Sequence, residues 1–203
     1  MQHEHRSPGL KLLLDGNARW AAGHPTHPHR DVERRLLLAK EGQRPFAAIL
    51  SCADSRVPSE LLFDVGLGDL FVVRVAGNSL DKLVQQSLEF AARVLGVETI
   101  MIMGHQGCGA VIGAVEAYPG PAPEILSTIY RAIEKSKEVL KDRGANPDDK
   151  DALGKESVDR HVIRGVNKLR LEHPFDEMIA QGKLTIVGGR YDLDTGRVTM
   201  LIE

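Results

Sequence analysis

Three short runs of almost unbroken apolar sequence restrict the fold of this chain more than any other feature. "PFAAILS" (45–51), "DLFVVRVA" (69–76) and "TIMIMG" (99–104) lack the strict polar alternation of a strand with one wet face. Such runs suit strands covered on both faces, which is the habit of parallel sheets. A fourth run, "KLTIVGG" (183–189), is followed by "YDLDTGRVTMLIE". There "DLDTG" has the composition of a hairpin turn and would return 197–202 antiparallel at the sheet edge.

Helical periods fill the intervals. In "SLDKLVQQSLEFAARVLG" (79–96), Leu80, Leu83, Val84, Leu88, Ala91 and Leu95 recur at helical spacing, with Ser79 as cap and Gly96 as stop. Segments 124–144 and 157–174 are amphipathic in the same way, and 10–23 and 31–42 precede the first strand. Strands alternating with helices predict an α/β fold: a mostly parallel central sheet of about four strands, an antiparallel C-terminal edge strand, and flanking helices. We expect one domain over 1–203, with 1–9 as a flexible N-terminal tail. "HPTHPHR" (24–30) invites a metal reading, but its prolines favour an irregular connector.

The composition narrows the partners. A net charge of −2 offers no attraction for nucleic acid or an anionic membrane. No apolar run approaches the roughly 18–20 residues of a membrane span, and the first residues lack the pattern of a secretory signal. Two cysteines cannot staple a chain of 203 residues, so reduced thiols and a cytoplasmic setting are expected.

Both cysteines instead fall where an open α/β sheet places its ligands, beyond the carboxyl ends of strands. Cys52 follows the first run directly, and His105 and Cys108 follow the third in "GHQGCGA" (104–110). Two thiolates and an imidazole select a borderline-soft cation, zinc before others. With three protein ligands one position stays open, the pattern of catalytic zinc; a structural site closed by a carboxylate is the alternative. In "SCADSRVPSE" (51–60), Asp54 and Arg56 share an edge with Cys52. Asp54 is the carboxylate able to close the site, and Arg56 can hold it away in a bidentate pair. Zinc lowers the pKa of a coordinated water from about 15.7 to near 7, which makes a nucleophile at neutral pH. A surface ion pair worth at most about 1 kcal/mol is the plainer reading of Asp54 and Arg56.

"CADSR" (52–56) paired with "GHQGCGA" (104–110) resembles the two zinc motifs of the β-class carbonic anhydrases. The likeness extends through 42–78, 87–110 and "GGRYDLDTGRV" (188–198), and so over almost the whole chain. It implies reversible hydration of CO2 to bicarbonate and a proton by attack of zinc-bound hydroxide, with one Zn2+ per subunit on Cys52, His105 and Cys108. It also implies an Asp54–Arg56 dyad that orients the water. Gln43 matches the substrate-binding glutamine, Gly109 would offer its N–H near the substrate, and Phe71 and Phe90 would line the CO2 pocket. Phe90 is commonly tyrosine in the family, so any role of that hydroxyl is absent. The family assembles as homodimers, sometimes paired into homotetramers. Members inhibited by bicarbonate at a second site carry tryptophan where this chain has Ile49, which implies an open site near neutral pH. Hydrolysis of CS2 or COS on the same zinc, a non-catalytic zinc sensor, and a redox or persulfide thiol are the competing readings.

Overall fold

The computed structural model describes residues 6–203. Its sheet has five strands in the order β2-β1-β3-β4-β5. β1 (Ala47–Cys52), β2 (Leu70–Val75), β3 (Thr99–His105) and β4 (Thr185–Tyr191) run parallel, and β5 (Val198–Ile202) returns antiparallel along β4. This is the expected α/β architecture, and each strand lies within two residues of its expected bounds. The chain leaves β1 for β2 on one side, then crosses back to β3 on the other. Ser51 is thereby set opposite Met103, so the carboxyl ends of β1 and β3 flank the point where the strand order switches.

The period of two along the strands divides the core. Ala47, Ile49, Met101, Met103 and Val187 face one layer of helices: α1 (Pro8–Ala21), α3 (Ser59–Leu62), α5 (Gly109–Ala117) and α7 (Tyr130–Asp142). Ala48, Leu50, Ile100, Ile102 and Ile186 face the other, formed by α4 (Lys82–Arg93), part of α8 (Lys150–Leu171) and α9 (Phe175–Ala180). The single turn α6 (Glu124–Ser127) leads into α7. α8 serves both layers: Leu153 and Val158 pack with α5 and α7, while Val162, Val166 and Leu169 lie on the opposite cluster. Gly104 and Gly188 permit its close approach, because a Cβ on either would come within 2.7 Å of a Val162 methyl. Among the described residues no helix is long and apolar enough to cross a membrane.

Several helix ends differ from the sequence expectation. α1 begins at Pro8, inside the segment expected as a tail; Ser7 caps it by accepting from the N–H of Leu10 at 3.3 Å. Residues 1–5 of that expected tail lie outside the described residues. Asp81 rather than Ser79 caps α4, its carboxylate accepting from Val84 N at 2.8 Å. α8 starts at Lys150, seven residues ahead of the expected 157, because Asp149 accepts from the N–H groups of Asp151 and Ala152.

The 24–30 connector is irregular, as its prolines suggested, and Asp64 anchors it. This fully buried carboxylate accepts from Thr26 N (2.8 Å), Thr26 Oγ1 (2.9 Å), His27 N (2.8 Å) and Arg19 Nε (2.6 Å). Burial alone would push its carboxyl up, but the donors from Thr26, Arg19 and His27 together hold it below the usual carboxylate range. A depressed native pKa contributes stability that is present above the unfolded value of about 4 and is lost as pH falls below it. Asp64 has a left-handed backbone (φ +46°) that asparagine also adopts, so Asp64→Asn is expected to cost about 2 kcal/mol at pH 7 through the lost charge. In urea melts that gap should shrink toward pH 3; an equal gap at both pH values would sink the argument.

Candidate metal centre

β1 delivers Cys52, β3 delivers His105, and the tight turn through Gly107 (φ +62°) swings Cys108 back as the residue preceding α5. Glycine is needed at 107 because other side chains rarely adopt that left-handed conformation. Cys52, His105 and Cys108 are all buried, and their ligating atoms lie within 4.8 Å of one another. The two Sγ atoms are 3.9 Å apart. Thiolates each about 2.3 Å from one tetrahedral ion would stand roughly 3.8 Å apart, so the spacing fits. His105 Nδ1 donates to the carbonyl of Gln106 at 2.9 Å, which leaves Nε2 with a lone pair. That Nε2 is buried and has no hydrogen-bond partner. An orphaned buried nitrogen beside two thiols is the mark of a metal-ligand set.

The thiols are prepared unequally. The hydrogen bond from Cys108 pulls the Cys52 thiol well below the ordinary range against the effect of burial; His105 and the N–H groups of Asp54 (3.4 Å) and Gly77 (3.3 Å) add to that pull. Cys108, which retains the shared proton, is pushed up by the same contact and by burial.

Asp54 stands at the edge of the cluster, with Oδ2 at 3.9 Å from His105 Nε2. Arg56 grips it at both oxygens, Nε to Oδ1 at 2.9 Å and Nη2 to Oδ2 at 2.7 Å, and its own backbone N–H also donates to Oδ1. The guanidinium holds the carboxyl well below the usual range, outweighing burial. Arg56 Nη2 also donates to the Gly107 carbonyl at 3.2 Å, linking the two halves of the site. The expected grouping of thiol, carboxylate and guanidinium on one edge is therefore present, with the carboxylate turned toward arginine.

Comparison with known proteins decides the family. The carbonic anhydrase family model matches residues 47–198. The chain is 41% identical over 196 residues to Carbonic anhydrase 2 of Mycobacterium tuberculosis, covering 94% of this chain and 90% of that one. The chain belongs to the β-class carbonic anhydrases. Among solved structures, a β-carbonic anhydrase of Coccomyxa, determined in complex with acetazolamide, superposes with a TM-score of 0.74 at 25% identity, covering 97% of this chain and 88% of that one. A tetrameric β-carbonic anhydrase of Sordaria macrospora gives 0.71 at 26%, covering 96% and 98%.

In this carbonic anhydrase the remaining residues singled out by resemblance do not all meet within one chain. Gly109 is the first residue of α5, directly after Cys108, where helix N–H groups have no intrahelical acceptor. Phe71 on β2 and Phe90 on α4 pack together with ring centroids 6.2 Å apart, and Phe90 remains 45% exposed. Gln43 is exposed beyond the end of α2 (Val32–Glu41). A cavity of about 400 Å3 opens beside Gly107, Cys108 and Val111, and none of Gln43, Phe71 and Phe90 lines it.

Sequence reasoning missed three supports of the site. Arg74 donates from Nε to the Cys52 carbonyl at 3.0 Å and from Nη2 to that of Asp54, fixing the chain between them. Its place in the second apolar run, one residue after "FVV", was the signal that a charge there serves a neighbour. The Gly77 N–H and the side chain of Gln106 are the others; both act across distances in sequence that no local pattern reveals.

Proposed function

We propose that this carbonic anhydrase catalyses zinc-dependent, reversible hydration of CO2 to bicarbonate and a proton. The observation that carries the proposal is the juxtaposition at β1 and β3: three buried ligand atoms within 4.8 Å, and beside them a carboxylate pinned by arginine. Cys52, His105 and Cys108 would hold one zinc per subunit. When bound, the metal supplies the Lewis acidity that makes a water nucleophilic near neutral pH. Asp54, held by Arg56 at both oxygens, would be placed to accept a hydrogen bond at the metal's open side and to orient a water there. Gly109, the first residue of α5 directly after Cys108, would offer its N–H to a bicarbonate oxygen.

The apolar half of the pocket would come from a second copy. α2 has no buried residue in the single chain, and Val32, Leu36 and Leu37 are exposed along it, as is Leu12 on α1. A helix with an apolar stripe and no covering of its own suits a homodimer, in which Gln43, Phe71 and Phe90 would approach a metal centre as substrate-binding groups. A further pairing of dimers into a tetramer is compatible with this arrangement. A reducing cytoplasm would keep both thiols available to the metal.

Stopped-flow CO2 hydration with zinc content measured on the same sample tests the proposal. Zinc near one per chain and catalysed hydration are expected. A fully zinc-loaded protein that hydrates CO2 no faster than buffer would overturn it, and turnover of CS2 or COS by that protein would reassign the substrate.

A further inference from the structure

We propose that Gln106 is a positioning residue for His105, locking the imidazole tautomer and its direction by clamping the metal loop to the β4–β5 hairpin. The proposal deepens the zinc reading and rests on it. All four polar groups of Gln106 are engaged. Its N–H donates to the Tyr191 carbonyl at 2.9 Å, and its own carbonyl accepts from His105 Nδ1 at 2.9 Å. In the side chain, Oε1 accepts from Leu193 N at 2.9 Å and Nε2 donates to Asp194 Oδ2 at 2.9 Å.

A carbonyl only accepts, so the contact with Gln106 places the imidazole proton on Nδ1 and keeps Nε2 for the metal. The contact holds only while the peptide between 106 and 107 keeps its orientation. Gly107 follows, and glycine tolerates either backbone hand, so this peptide can turn over more readily than most. The amide of Gln106, fixed at both ends to the hairpin, opposes that rotation. The hairpin is itself anchored: Asn17 of α1 donates to the Gly196 carbonyl at 2.9 Å and accepts from Val198 N at 2.8 Å. A continuous polar chain thus runs from α1 through the hairpin and Gln106 to a metal ligand.

The test uses the purified full chain, with zinc affinity read by chelator competition and the visible spectrum of the cobalt-substituted protein as a second readout. Gln106→Ala is expected to bind zinc about 10–100-fold more weakly, with altered cobalt bands. Gln106→Glu sets one carboxylate against another and should weaken zinc binding as well. Gln106→Glu with Asp194→Asn keeps the acceptor for Leu193, restores an amide-to-carboxylate bond, and should recover most of the affinity and the spectrum. Wild-type affinity and spectrum in Gln106→Ala, whatever its melting temperature, would overturn the positioning role. So would failure of the double variant to improve on Gln106→Glu. A wild type that takes up no zinc would instead overturn the metal reading itself.

Discussion

Cys108→Ser is expected to abolish zinc retention and CO2 hydration together, while the chain still folds. Serine is nearly isosteric with cysteine, and the site is buried, so packing around α5 changes little. Its hydroxyl, however, does not ionise near neutral pH and is a poor zinc ligand beside the one remaining thiolate. Zinc after dialysis should fall to a small fraction of one per chain. Hydration should drop by at least about a thousandfold, since the metal is what brings the pKa of water from about 15.7 toward 7. Zinc content by atomic absorption and stopped-flow hydration check both halves on one sample. Full activity in the zinc-free variant would remove the metal from the mechanism altogether.

Arg56→Ala is expected to leave zinc in place and remove most of the activity. In the native site Arg56 occupies both Asp54 oxygens, one of them 3.9 Å from His105 Nε2. Without the guanidinium that carboxylate would lose its bidentate partner and could take the metal position that the proposed mechanism keeps open. A loss of about 10–100-fold is expected, in line with the removal of a group that orients a metal site. Arg56→Lys should fall between, because a single ammonium cannot hold two oxygens in a fixed fork. The decisive measurement pairs zinc content with kcat. Equal loss of both would make Arg56 a folding or metal-retention residue rather than a gate. In the native protein, a crystal grown near pH 7–8 with Asp54 on the metal would contradict the open site that the arginine grip predicts.

β1, β3 and β4 were legible because burial on both faces leaves a dense apolar pattern, whereas the half-buried edge strands β2 and β5 were legible from their β-branched runs and the hairpin turn. Runs 69–76 and 99–104 meet β2 and β3 to within one residue, and the return strand at 197–202 likewise meets β5. Helix ends were less legible where two caps compete. Ser79 and Asp81 are both capping types, and the choice fell to the one whose carboxylate reaches Val84 N. The start of α8 was hidden in "DDKDALGKES", where apolar residues are too sparse to show a period. No bounds were read for α5, although Val111, Ala114 and Val115 are buried at helical spacing. Cys52, His105, Cys108, Asp54 and Arg56 were readable because each lies at or just beyond a strand end. Gln106 was not, since its side-chain partners Leu193 and Asp194 come from the far end of the chain. That Gln43, Phe71 and Phe90 lie off the cavity beside Cys108 was not readable either, since no local pattern reports it.

The register of β1 against β3 carries a wider meaning. Cys52 and His105 sit at adjoining strand ends, one residue out of register, so their separation is set by the strand spacing of about 4.8 Å and one residue's rise rather than by a sum over the intervening chain. The excursion through α3, β2 and α4 is in this sense geometrically silent. Insertions and deletions in its exposed turns can accumulate without stretching the gap between the two candidate ligands, as long as Arg74 and Gly77 keep their bonds to Cys52.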